Sequence, residues 1–187
     1  MATDDFPWPD IKDRLFREGN PPARARVGGV PVAFQGIRYI MSYQEAAQVL
    51  IKSLQRDPLR SDLLVYPIVF CYRHHIELLL KESLRLARRL LGREAQNDHT
   101  HDLRLLWKWL KPMMEELNLG DEPDVLDAVG NQLAELAEVD PMSDAFRYPI
   151  SRKGTPSFRD LRYIDLENFA TVMEKLSSFL MAGCDMM

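Results

Sequence analysis

Apolar residues recur at helical spacing through most of the chain, and the breaks between those runs are sharp. Ser42-Tyr-Gln-Glu45 sets a hydroxyl at a helix N-cap and a carboxylate one turn on, so the first firm helix is predicted from Ser42 to about Gln55. It carries Ala46, Val49, Leu50 and Leu54 at helical spacing, and Asp57-Pro58 ends it. A longer helix is predicted from Asp62 or Tyr66 to Leu91. Ile68, Tyr72, His75, Ile76, Leu79, Ser83, Leu86 and Leu90 form its stripe, and Pro67 either starts it or kinks its first turns. Gly92, after Arg88 and Arg89, supplies a left-handed stop. A third helix opens at Thr100 or Asp102 and repeats Leu103, Leu106, Trp107, Leu110, Met113 and Leu117, with a kink expected at Pro112. Trp109 lies off that stripe and reads as buried within the chain or as facing a partner or the N-terminal arm. A fourth helix, Pro123 to Val139, buries Leu126, Val129, Leu133 and Leu136. The last begins near Asp165 with Leu166, Phe169, Met173, Leu176 and Leu180 on one face.

Two stretches break the pattern. Residues 1–41 hold five of the twelve prolines with GN-PP and GG turn signals, so they read as an irregular arm with a short turn over Ile11 to Arg17. Val30 to Phe34 could be a short strand or an extended piece laid on the helices. Asp140 to Arg162 is a run of turns with aromatic anchors, longer than a compact domain tolerates without a task for it. The expected fold is therefore all-α: a four- to five-helix bundle over 42–182, an irregular arm over 1–41, a long loop before the last helix, and a tail over 183–187.

The 187 residues suffice for one domain, and 46% apolar with 28% charged residues excludes disordered and collagen-like chains. The net charge of −4 gives no global attraction to nucleic acid, so such contact would need a local basic patch. Arg85, Arg88, Arg89 and Arg93 form one cluster, and Arg147, Arg152, Lys153, Arg159 and Arg162 another; either is a solvated face or an anion contact. Cys71 and Cys184 suggest no disulfide framework, the start MATDDFPWPD lacks a signal-peptide pattern, and the apolar stretch Leu63 to Tyr72 is about half of what spans a bilayer. A cytoplasmic protein with no membrane association is the expectation.

Three constellations could carry chemistry. Arg73, Glu77 and Lys81 share one helix face as a ladder of ion pairs, with His74 beside them and His75 on the apolar stripe, where a buried, hydrogen-bonded imidazole is the simplest reading. His99-Thr-His101-Asp102 has a His-x-His spacing, but no Cys pair or His-Glu-x-x-His helix completes a metal site. No metal or cofactor is expected, and His101 and Asp102 suit capping of the third helix. Phe146-Arg147-Tyr148-Pro149 sets a planar cation between aromatics, either as an anion contact or as a clamp onto Glu77 or Asp102 in the core. Phosphate-cradling glycine loops, dinucleotide fingerprints and nucleophile elbows are absent from the sequence.

Taken in order, Ile76-Glu77-Leu78-Leu79-Leu80-Lys81, then Thr100-His101-Asp102-Leu103 with Leu106-Trp107, then Phe146-Arg147-Tyr148-Pro149, the chain resembles the HEPN superfamily (higher eukaryotes and prokaryotes nucleotide-binding) over roughly residues 42 to 182. The resemblance implies a helical bundle that often dimerises. In many members it implies a metal-independent ribonuclease of toxin or antiviral systems that uses an Arg and a His a few residues apart near the last helices. No histidine follows Arg147 here, and the loosely matching pair Arg93 and His99 sits between the second and third helices. Two functions follow as expectations. One is a non-catalytic homodimeric module that binds a partner protein or a nucleotide or RNA. The other is a ribonuclease with His101 or His74 as proton carrier and Arg147 as phosphate clamp. Arg73, Glu77, Asp102 and Tyr148 are the expected binding residues in either case.

Overall fold

The computed structural model describes residues 8, 9, 11–16, 19, 20, 22, 24–29, 31–119 and 123–187. The chain divides into two units, Met1–Pro31 and Val32–Met187. In the first, the described residues make turns and bends, with the Arg14 guanidinium donating to the Ile11 and Asp13 carbonyls. Arg17, at the end of the turn expected over Ile11 to Arg17, and Val30, at the start of the expected strand, lie outside the described residues.

The second unit is all-α, with five helices among the described residues: α1 (Val32–Leu54), α2 (Ser61–Leu90), α3 (Leu103–Glu116), α4 (Pro123–Val139) and α5 (Leu166–Met186). A 3-10 turn, Pro58–Arg60, leads into α2. The central helix is α2. It packs against α1, α3 and α5, while α4 lies on α3 and α1 also touches α5. Being covered on several sides, α2 buries more than the single stripe expected: Val69, Leu80, Leu84 and Ala87 are inside, while Leu90 is half exposed. Helix Pro58–Leu90 is long and apolar enough to cross a membrane by length and composition, and half of its most apolar window is buried against the other helices.

Several boundaries follow the local signals. Gly92 adopts φ 63°, and the Arg93 amide donates to the Arg88 carbonyl at 2.8 Å, closing α2 with a left-handed cap. Asn118 does the same for α3 at φ 52°, with the Leu119 amide on the Met114 carbonyl. Asp102 and Asp165 cap α3 and α5 through their carboxylates. Helix α2 begins at Ser61 and continues through Pro67, whose missing amide leaves the Leu63 carbonyl without its helical donor.

Two boundaries differ from expectation. Helix α1 starts at Val32, so residues 32–41 belong to the bundle rather than to the arm, and Val32 to Phe34 is helical rather than extended. Ser42 is not a cap: its hydroxyl bonds back to the Arg38 carbonyl at 2.6 Å, the mid-helix alternative open to serine. Tertiary contacts decide this, because Ile40 is buried in the core and the His75 ring meets its carbonyl at 2.9 Å. At the other end the expected tail is helical, with Gly183 buried close to Met114 and Cys184 Sγ 3.1 Å from the Ser83 hydroxyl. Trp109 packs on the core of its own chain.

The α3–α4 contact depends on a missing side chain. A Cβ at Gly130 would lie 2.9 Å from Nε1 of the buried Trp107 indole. Helix propensity alone would make Gly130→Ala stabilising by about 1 kcal/mol. The overlap with a ring held in the core should reverse the sign and lower stability by about 1–3 kcal/mol in denaturant unfolding; a more stable variant would show that α4 is free to shift.

Candidate functional site

Arg73, Glu77 and Lys81 lie one turn apart on the face of α2 that meets the start of α3 and the loop after α4. The ladder and the His101 turn meet there, and Asp140 connects them to the turn that carries Arg147. The Arg73 side chain is completely buried, and its planar fork reaches three elements. One terminal nitrogen donates to Glu77 Oε2 at 3.1 Å, the other to the His101 carbonyl at 2.8 Å, and Nε to the Asp140 carbonyl at 3.0 Å. The second carboxylate on Arg73 is Asp140, also fully buried, with Oδ2 3.5 Å from Nε and without a hydrogen bond.

Glu77 is almost fully buried. Its Oε1 accepts from Lys81 Nζ at 2.8 Å and from His101 Nδ1 at 2.9 Å. Burial pushes this carboxyl up, but the Lys81 hydrogen bond and the charges of Lys81, His101 and Arg73 outweigh it and hold the group below the ordinary carboxylate range. His101 Nδ1 donates to the Glu77 carboxylate, and because the side chain is 54% exposed its other ring nitrogen, Nε2, is open to solvent. The ion ladder expected on α2 is thus present, with Arg73 and Glu77 buried and Lys81 at its outer edge, 27% exposed.

Asp140 turns the same centre toward Arg147. Its Oδ1 accepts from the Asp144 and Ala145 amides at 2.8 and 3.0 Å, which shapes the turn after α4 and holds Ser143 at φ 59°. The Ser143 carbonyl then accepts from Arg147 Nε at 2.6 Å. The guanidinium lies 5.5 Å from the Phe70 ring centroid and 5.3 Å from that of Tyr148, and its two terminal nitrogens have no partner among the described residues. The clamp of Arg147 onto Glu77 or Asp102 does not form, because Glu77 is already filled by Arg73, Lys81 and His101, and Arg147 is exposed.

The half-buried His74 stacks on Phe70 with centroids 5.7 Å apart and takes the Tyr43 edge at 4.4 Å. Burial lowers its pKa, Glu77 opposes that, and Lys81, Arg73 and His101 add to it, so His74 stands in the field of the same cluster. A surface strip therefore runs from Tyr148 through Arg147, Phe70 and His74 toward His101 and Lys81. Asp102 serves the helix: its carboxylate takes the Arg104 amide at 2.9 Å and not the cluster.

His75 is the satisfied core histidine expected. Nδ1 donates to the Ile40 carbonyl, and Nε2 accepts from the Ser177 hydroxyl at 2.8 Å. Beside it Glu174 gathers Tyr72, Gln44 and Gln48, tying α1 and α5 to α2. In the first basic cluster Arg88 grips Asp98 bidentately, Arg85 grips Glu82 and Arg93 bonds Glu116, while in the second Arg152 lies 3.7 Å from Asp144. Arg93 is therefore not poised with His99. Among the described residues no three His, Cys, Asp or Glu side chains converge in a way that could hold a metal ion.

The sequence reading missed Asp140, Phe70 and Tyr43. Asp140-Pro141 at the end of α4 was a signal for a side-chain-templated turn, while Phe70 and Tyr43 look like ordinary apolar positions of amphipathic helices. Comparison of the chain with family models, with curated proteins and with solved structures returned no match.

Arg73→Ala leaves Glu77 and Asp140 as buried carboxylates without their common cation, and should cost about 3–5 kcal/mol in equilibrium unfolding. A loss below about 1 kcal/mol would mean that the centre is solvated. The pH dependence has a definite sign. His74 and His75 are held below their ordinary 6.5, mainly by burial, so the unfolded chain binds the extra proton first. Their contribution is intact above pH 6.5 and lost as the pH falls toward the lowered folded values, by up to about 1.4 kcal/mol per unit for each group. Depression of the Glu77 carboxyl from 4.5 extends the loss into acid. Thermal melts should show a level transition temperature at neutral pH and a fall toward pH 5; a rise on acidification would contradict the burial of both rings.

Proposed function

We propose that this chain is a HEPN-like helical module that binds RNA through the strip running from Arg147 to His101, acting as a homodimer or with a partner protein in a defence or toxin–antitoxin system. The observation that carries the reading is Arg147. Its guanidinium is seated on Phe70 and Tyr148, anchored at Nε by Ser143, and keeps both terminal nitrogens free in a geometry suited to a phosphate. His74 and His101 continue the same surface with their ring nitrogens and Lys81 adds positive charge, while Glu77 and Asp140 beneath are held by Arg73. The sealed Arg73–Glu77–Asp140 centre favours a binding role over chemistry, since those groups hold the scaffold. Exposed Phe34, Met41 and Val49 on one side of α1 supply an apolar surface for a second copy.

One observation favours a second reading, a metal-independent ribonuclease. Glu77 holds the His101 ring so that Nε2 takes the proton of a ribose 2′-hydroxyl as that oxygen bonds to phosphorus, the P–O5′ bond breaks with water returning a proton to the departing 5′-oxygen, and Lys81 or Arg147 stands beside the charge developing on phosphorus. A single assay addresses both. Fluorescence anisotropy with labelled single-stranded RNA should give saturable binding that Arg147→Ala weakens about tenfold. Cleavage products ending in cyclic phosphate, lost in His101→Ala while binding persists, would promote the second reading. RNA neither bound nor cut by the intact chain would remove both.

A further inference from the structure

A second feature of the bundle borders the strip without belonging to it. An open groove of about 960 Å³ lies between the first half of α1, the second half of α2 and the loop 96–99. Ile40 and Leu78 form part of its floor, and Lys81, Arg85 and Arg89 form a row of cations along its α2 wall at successive helical turns, about 6 Å of rise apart. Tyr39, 60% exposed, stands on the α1 wall, where Gly36 leaves the space open, and the Gln96 and Asn97 amides with His99 form the loop wall. The loop is fixed to α2 by the bidentate Arg88–Asp98 pair.

Among the described residues two acids line this groove, and both are occupied. Glu82 gives both oxygens to Arg85, and Asp98 gives both to Arg88. Lys81 is shared with the site already described, since it donates to the same Glu77 oxygen as His101. Arg89 has no partner among the described residues and is exposed, as the surplus cation of the groove. A row of cations facing an exposed aromatic ring, with amides alongside, is the combination that holds single-stranded nucleic acid: cations follow the phosphates, and the ring stacks on a base. The open shape suits a chain passing through rather than a small molecule enclosed. An acidic peptide would use the cations but leave Tyr39 and the amides without a task.

We infer that this groove is the track for the nucleotides of single-stranded RNA flanking the segment held at His101 and Arg147, with Arg89 on a phosphate, Tyr39 under a base and Lys81 at the junction. The inference rests on the RNA-binding reading, and the test separates the two. Binding of the full chain is measured by anisotropy for a trinucleotide and for an RNA of about ten nucleotides, across a salt series. Arg147→Ala should weaken both lengths. Arg89→Ala and Tyr39→Ala are substitutions at exposed positions. Each should weaken the longer RNA about fivefold to tenfold and leave the trinucleotide unchanged, and Arg89→Ala should flatten the salt dependence by about one phosphate contact. If the intact protein binds both RNAs and neither groove substitution changes the longer one, the track is wrong while the RNA-binding reading stands. If a glutamate-rich peptide binds in an Arg89-dependent manner and the longer RNA does not depend on Arg89, the groove belongs to a protein partner instead. If the intact protein binds neither RNA, the RNA-binding reading falls and the track with it.

Discussion

A guanidinium with no exposed surface needs an acceptor in each direction its donors point, and meeting that demand fixes where three parts of this protein must lie. Arg73 sits in the middle of α2, and its acceptors come from α2 itself, from the approach to α3 and from the end of α4. Burying the ion carries a large desolvation cost, so the arrangement is better understood as specifying a register than as adding stability. Once Glu77, the His101 carbonyl and the Asp140 carbonyl are in place, α3 cannot slide along α2, and the chain leaving α4 must turn where Asp140 directs it. The same centre thus fixes both ends of the candidate site: His101 through Glu77 and its own carbonyl, Arg147 through the Asp140-templated turn.

On another side of α2 a separate polar network serves α1 and α5. Glu174 accepts from Tyr72, Gln44 and Gln48, and Ser177 links Gln44 to the His75 ring. Burial, followed by the hydrogen bond to Glu174, raises the Tyr72 hydroxyl well above its ordinary value, so it stays a donor. Between the two networks lies the apolar core of Ile76, Leu79, Leu80, Leu84, Leu106 and Leu110. A buried polar centre on either side of the central helix gives directional constraints that an oily interior lacks, because leucine tolerates a rotation of its helix and a set of aimed hydrogen bonds does not.

The groups with free valence stand at the edges of these networks rather than within them. Nε2 of His101 and the terminal nitrogens of Arg147 project from backbone whose position is set inside. Phe70 and His74 bridge the distance with stacked rings. This explains the length of the segment after α4: it must leave the helix, satisfy Asp140, bring an arginine over an aromatic of α2 and return to start α5 at Asp165. A shorter connection would join the helices but leave Phe70 and Phe146 without cover.

The sequence by itself determined the helices that end on local chemistry. Gly92, Asp102, Pro123 and Asp165 act on the backbone within one turn, so α2's end, α3, α4 and the start of α5 were legible, as were the ion ladder of α2 and the satisfied His75. The start of α1 was not, because Ser42 satisfies the capping pattern and the helical alternative equally well, and the choice is made by Ile40 and His75, distant in sequence. Likewise the residue types Arg73, Glu77, His101 and Arg147 announced a polar centre, but only the tertiary structure decided which would be sealed and which exposed. Ion pairing depends on which groups the packing brings within reach, and Glu77 is occupied by Arg73, which is also held by a residue at the end of a remote helix, Asp140. Periodicity records which face of a segment avoids water; it carries no record of which segment will meet it.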